Sequence, residues 1–201
     1  LLEGNSSPVS INQKPYRGSW AIIPANEGSF HVVNQVMLED YLKGVVPAES
    51  PASWPLESLK AQAIAARTYA IANWEKRKEM GFDLTADQSD QVYRGMLIED
   101  AATNQAVEST RNSILVYQNR PINALFFASS GGHTDSAKEV WGMDLPYIQG
   151  VPDVDQAAPH YHWQKTFSEA DIRQALKKMN IDIGTIQHIQ PIQWTAFTRV
   201  Q

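Results

Sequence analysis

The chain has 201 residues, 43% of them hydrophobic and 19% charged, with a net charge of −5 and no cysteine. That composition supports one good core or two small ones and excludes a disordered or fibrous chain, disulfides, thiol nucleophiles and thiolate metal sites. The acidic balance argues against nucleic acid, since the longest cationic run is Lys76-Arg77-Lys78, and no apolar stretch approaches the roughly 20 residues that span a bilayer.

In chain order, Ser19 to Ile23 and Phe30 to Val33 read as short strands on either side of Pro24-Ala-Asn-Glu-Gly28, and Leu38 to Val45 reads as a short helix. Pro47, Pro51 and Pro55 then predict a stiff loop, because each proline fixes its own φ and restricts the residue before it. That loop mounts Glu49, and a rigid carboxyl suits proton transfer; an ordinary exposed loop carboxylate is the alternative. Leu56, Leu59, Ala63, Ala66 and Ala70 recur at helical spacing, with Pro55 as the first helical residue and the Lys76 to Lys78 cluster and Gly81 at the far end. Lys60 and Arg67 fall off that stripe beside Ile64 and Ile71, so two cations emerge from apolar surface and invite an anion. Long cationic stems lying over apolar surface are the alternative. Tyr69 reads either as a donor in a groove or as a core tyrosine.

Asp83, Asp87 and Asp90 fall in a polar loop whose spacing does not match an EF-hand, which predicts a solvated acidic turn. A helix follows from Glu99 to about Thr110, then a hairpin of Ile114 to Tyr117 and Ile122 to Ser129 about Gln118-Asn119-Arg120-Pro121. Ser129-Ser130-Gly131-Gly132-His133-Thr134 offers hydroxyls and open amides to a ligand; a tight turn at the end of a strand is the alternative. His133 and Asp135 do not make a triad with these serines, because the residues are neighbours in sequence and the strained elbow is missing. Trp141 could stack on a ligand or pack inside. His160 and His162 are two apart, as ligands on one face of a strand are, and His133 could join them in a metal site, which needs three or four converging groups; solvated or packed histidines are the alternative. Ser168 and Asp171 form a capping-box pattern opening a helix to about Met179, and Gln193 to Gln201 alternates like a strand. The fold class is α+β, with mainly antiparallel strands around a substrate groove. No linker marks a domain boundary within 1–201.

Several ordered motifs together point to a family. Val33 to Glu49, ending Val45-Val46-Pro47-Ala48-Glu49, and Leu59-Lys60-Ala61-Gln62-Ala63-Ile64-Ala65-Ala66-Arg67-Thr68-Tyr69 are followed by Gln91-Val92-Tyr93-Arg94-Gly95, Ser129-Ser130-Gly131-Gly132-His133 and Glu139-Val140-Trp141-Gly142. From roughly Tyr16 to Leu176 the chain resembles the stage II sporulation protein D (SpoIID/LytB) family. The resemblance implies a peptidoglycan lytic transglycosylase that cleaves the MurNAc-GlcNAc β-1,4 bond of denuded glycan strands, with Glu49 as general acid and then base. One carboxyl suffices there, because the MurNAc C6 hydroxyl is an internal nucleophile.

The resemblance further implies that Lys60 and Arg67 hold a lactyl carboxylate or orient Glu49, with Tyr69, Ser129, Ser130, His133 and Trp141 as further glycan contacts. It implies an exported protein of the bacterial envelope, working with wall hydrolases such as amidases, whose signal or anchor and C-terminal family segment lie outside this chain. Some members bind zinc through Cys and His in the segment matching Asp83 to Gln91, where this chain has neither, so no metal or cofactor is expected. Two alternatives stand beside this reading. One is a non-catalytic wall-binding module that stimulates another hydrolase; the other is a hydrolase taking a second carboxylate from Glu57, Asp153 or Asp155.

Overall fold

The computed structural model describes residues 8–197 and has the α+β class expected. It divides into two compact units, Leu1–Phe126 and Phe127–Gln201. The first contains strands β1 (Val9–Ile11), β2 (Lys14–Tyr16), β3 (Ser19–Pro24) and β4 (Phe30–Gln35), helices α1 (Leu38–Glu49), α2 (Leu56–Ala72) and α3 (Ala101–Ser109), and strands β5 (Val116–Tyr117) and β6 (Arg120–Pro121). The strands pair β1–β2, β3–β4 and β5–β6, each antiparallel. The second unit contains α4 (Ala137–Trp141) and α5 (Glu169–Lys178).

The core of the first unit lies where the three long helices meet. Leu42, Val45 and Val46 of α1, Ala63 and Ala66 of α2, and Val107 of α3 are all fully buried in one cluster, flanked by Leu38, Tyr41 and Tyr93. The α2 stripe is as the periodicity predicts, with Leu59, Ala63, Ala66 and Ala70 buried. Small alanines there let α1 and α3 approach closely, which is why α2 reads as alanine-rich rather than leucine-rich.

Where α1 ends differs from expectation. The helix does not stop at Val45 but runs through Pro47 to Glu49, so Glu49 is the last helical residue and not part of a loop. Pro47 removes the donor that would have reached the Lys43 carbonyl, yet buried Leu42, Val45 and Val46 hold the final turns against α2 and override that local loss. The turn Pro51–Trp54, closed by the Trp54 amide on the Pro51 carbonyl at 3.0 Å, then leads into α2.

The helix α2 also ends earlier than expected, at Ala72, with Pro55 as its cap rather than its first residue. The Asn73 side chain donates to the Tyr69 carbonyl at 2.9 Å and Glu75 takes a positive φ of 58°, so Lys76 to Lys78 lie beyond the helix. Two turns account for the remaining differences. Asn12-Gln13 turns β1 into β2, a hairpin the sequence did not suggest, and Gln118-Asn119 turns β5 into β6; all four residues have positive φ, as mirror-image two-residue hairpin turns require. The second hairpin is therefore tighter than predicted, with Arg120 and Pro121 paired in its strand. The Ser168–Asp171 capping box opens α5 as expected. At the chain end Trp194 makes a single bridge and Ala196–Phe197 turns, so 193–197 is not a strand, and 198–201 lie outside the described residues.

Gly44 marks the closest approach in this unit. A Cβ there would sit 2.5 Å from Cε2 of Tyr93 and 3.1 Å from the Gly95 carbonyl oxygen. The Tyr93 ring cannot simply swing aside, because it packs on Tyr41 and its hydroxyl donates to Asn34 at 3.0 Å. Gly44→Ala is therefore expected to lower the urea-unfolding free energy by about 1–3 kcal/mol; an unchanged midpoint would mean that the 92–95 segment adjusts freely.

Candidate active site

Glu49 is positioned by two pieces of chain. Its backbone is the C-terminal residue of α1, and its Oε1 accepts a hydrogen bond from the Val92 amide at 2.7 Å. Its Oε2 has no partner among the described residues. The half-buried carboxyl thus has one oxygen fixed by a backbone donor and one oxygen available.

The loop that supplies this amide is anchored residue by residue. The Arg94 amide donates to the Gly44 carbonyl at 3.2 Å, so 92–94 runs along α1 with alternate amides facing it and Tyr93 turned into the space that Gly44 leaves open. Gln91 is fully buried; its Nε2 donates to the Ala66 carbonyl of α2 at 3.3 Å and its Oε1 accepts from the Tyr41 hydroxyl at 3.1 Å. Burial pushes the Tyr41 phenol well above its ordinary value, and the nearby Asp90, Tyr69 and Glu49 act in the same direction, so Tyr41 stays a donor.

Asp90 completes the anchor. Its side chain is fully enclosed and receives Lys76 Nζ at 2.7 Å, the Arg77 guanidinium, the Tyr69 hydroxyl at 2.9 Å and both the amide and the hydroxyl of Thr85, at 2.8 and 3.0 Å. The expected solvated acidic turn is corrected here: Asp87 closes a local turn through Ser89 and Thr85, but Asp90 is a buried ion-pair centre. Burial alone would raise the Asp90 pKa, but Lys76, the Thr85 amide and Tyr69 outweigh it and bring it down to about 2. An unfolded Asp titrates near 4, so the folded-state value is depressed. The resulting stabilisation is present above about pH 4 and is lost as pH falls through about 2. Wild type should lose about 2 kcal/mol more than Asp90→Asn between pH 6 and pH 2 in urea unfolding; parallel curves for the two would contradict the assignment.

The cations expected to face an anionic ligand are engaged within the protein. Arg67 is 1% exposed, and its Nε and Nη2 donate to Glu39 Oε1 and Oε2 at 2.9 and 2.8 Å. Nη2 also reaches the Val107 carbonyl at 3.0 Å, while Nη1 reaches Thr110 Oγ1, the Ser113 carbonyl and the Ala63 carbonyl. Its planar fork ties α1, α2 and the end of α3 together, so its expected contact with glycan is corrected to an internal one. Lys60 pairs with Glu57 at 2.7 Å, one turn away on α2, and Tyr69 is 6% exposed with its hydroxyl on Asp90.

In the second unit, Ser129 to Gly132 form a nest of donors that is already filled. The Ser129 hydroxyl and the amides of Ser130 and Gly131 donate to Asp155 Oδ2 at 2.6, 2.6 and 3.0 Å, and the Gly132 amide donates to Oδ1 at 2.8 Å. The Ser129 hydroxyl and these amides hold the Asp155 carboxyl well below the usual carboxylate range. The donors read as open to a sugar are therefore satisfied by the chain's own carboxylate, and Asp155 is committed as an acceptor. His133 stacks on Phe197 with ring centroids 3.4 Å apart, and Trp141, the last residue of α4, is half exposed. Among the described residues no group of three or more His, Asp or Glu side chains converges as metal ligands.

Comparison with known proteins decides the family. Residues 26–117 match the family model described as SpoIID: Stage II sporulation protein. The stage II sporulation protein D of Bacillus subtilis is 34% identical over 188 residues, covering 86% of this chain and 55% of that protein. This chain belongs to the SpoIID family. An uncharacterized protein of Brachyspira hyodysenteriae is 44% identical over 173 residues, covering 86% of this chain and 47% of its own length. The amidase enhancer of Bacillus subtilis is 36% identical over 153 residues, 76% of this chain and 19% of that protein. This SpoIID chain therefore spans about half the length, or less, of the relatives it matches.

The matched segment contains Glu49, Arg67, the 85–95 loop and Gly44, so the family region coincides with the helices and the loop that hold Glu49. Sequence reading singles out Glu49 but gives no sign of the Val92 amide, for which no side-chain signal exists. It also missed Glu39 as the partner of Arg67, 28 residues earlier.

Proposed function

We propose that this SpoIID chain acts on bacterial cell-wall peptidoglycan as a lytic transglycosylase, with Glu49 as the proton-transferring group. The observation that carries this reading is the carboxyl of Glu49, held through one oxygen by the Val92 amide with the other oxygen open, within the segment that matches the SpoIID family model. Protonated Glu49 donates to the glycosidic oxygen as the C1–O bond of MurNAc breaks, and the leaving GlcNAc departs as an alcohol. The resulting carboxylate then accepts the proton of the MurNAc C6 hydroxyl as O6 closes on C1, giving a 1,6-anhydro ring and restoring the acid. No water is consumed and no second carboxylate is needed. Of the three acids considered for a hydrolytic role, Glu57 is paired with Lys60, Asp155 is held in its nest, and Asp153 accepts from the Val154 amide at 2.8 Å.

The similarity to an amidase enhancer supports a second reading, in which the chain binds wall glycan and stimulates another hydrolase without cutting. The site of action in either case is the envelope outside the cytoplasmic membrane; no helix of the described residues is long and apolar enough to cross a membrane. Digestion of denuded glycan strands in H2(18)O separates the chemistries. Transglycosylation gives anhydro ends without label, hydrolysis gives labelled reducing ends, and absence of cleavage by folded protein favours the enhancer reading.

A further inference from the structure

The first unit also has an open cleft of about 370 Å³, whose lining includes Lys14, Tyr16, Asp87, Val92, Tyr93 and Arg94. Val92 belongs to both places: it lines the cleft and its amide holds Glu49. Lys14 and Arg94 are exposed and make no ion pair or hydrogen bond through their side chains among the described residues. In the same unit Arg17, Lys43, Lys60, Arg67, Lys76 and Arg77 are all paired, whereas Lys14 and Arg94 meet in one cleft. Two cations against the single carboxylate of Asp87, itself engaged by Ser89 and Thr85, leave the cleft positive on a chain of net charge −5.

The cleft is also preorganised. Strand alternation places Lys14 and Tyr16 on one face of β2. Gly95, at φ +66°, lets that strand press so close that a Cβ there would sit 2.5 Å from the Tyr16 ring and 2.8 Å from the Pro15 carbonyl oxygen. The Arg94 amide is fixed on Gly44, and Tyr16 and Tyr93 pack ring against ring with centroids 5.8 Å apart. A guanidinium and an ammonium beside half-buried tyrosine rings suit a sugar that carries a carboxylate, with the fork for the anion and the rings for the hexose face.

We propose that this cleft is a subsite for a carboxylate-bearing sugar of the glycan, Lys14 and Arg94 holding the lactyl carboxylate of a muramyl unit next to the bond that Glu49 acts on. This rests on the glycan reading above but is tested without turnover. The full protein carrying Glu49→Gln is titrated with denuded GlcNAc-MurNAc strands and with neutral chitooligosaccharides of equal length. Muramyl strands should bind about tenfold more tightly, and Lys14→Gln with Arg94→Gln should abolish that preference and its salt dependence while leaving chitooligosaccharide affinity within about twofold. Both side chains are exposed, and a thermal melt checks that the double variant stays folded. A preference that survives in the double variant, or no preference in the parent, overturns the subsite. Glycerol phosphate oligomers bound through the same two residues in place of muramyl strands would overturn it in favour of a phosphate ligand. Loss of anhydro-forming activity in wild type with the preference intact would count against the transglycosylase alone.

Discussion

Arg67→Ala is expected to destabilise the first unit by about 3–5 kcal/mol, because it leaves the Glu39 carboxylate without its partner and strips donors from several carbonyls. Glu39 is only 15% exposed, so water cannot replace the guanidinium fully. The Val107 carbonyl belongs to the last turn of α3, where carbonyls lack helical donors, and Arg67 supplies one. Arg67→Lys should recover only a small part, since one ammonium cannot serve both carboxylate oxygens and the α3 carbonyl at once. Replacing both partners, as in Glu39→Leu with Arg67→Met, should be milder than Arg67→Ala, because no charge is then stranded. Urea unfolding of the three variants beside wild type measures this. A change below about 1 kcal/mol for Arg67→Ala, with glycan binding lost, would instead return Arg67 to the role of a ligand contact.

The second large effect concerns Glu49. Glu49→Gln keeps an oxygen to accept the Val92 amide at the Oε1 position, so stability should change by less than about 1 kcal/mol. It cannot deliver a proton, so the rate of glycan cleavage should fall at least about 100-fold. The contrast with Arg67 is what makes the pair informative: one variant should lose fold with activity following, the other activity with fold retained. If Glu49→Gln were as destabilised as Arg67→Ala, the Val92 contact would have to be read as structural.

Features set by local spacing were legible from sequence. The apolar stripe of α2 and the capping box of α5 depend on residues within a turn or two of each other, and both are present. What failed depends on partners far along the chain. Pro47 was read as a helix stop, but burial of Leu42, Val45 and Val46 against α2 carries α1 on to Glu49. Arg67 was read as facing outward because its partner is on another helix. Ser129 to Gly132 were read as open donors because Asp155 lies some two dozen residues downstream. Asp90 was read as solvated because its cations, Lys76 and Arg77, had been assigned to the end of α2. The common cause is that charge and donor pairing over long separations is fixed by packing, which sequence periodicity does not encode.

The most direct test is mass spectrometry of glycan products from the full protein on denuded strands, wild type beside Glu49→Gln, with melting temperatures measured in parallel. Glu49 as the acid/base predicts 1,6-anhydro-MurNAc ends from wild type and at least about 100-fold fewer from a Glu49→Gln protein that melts normally. Equal anhydro ends from both, or ends that are reducing rather than anhydro, would contradict it.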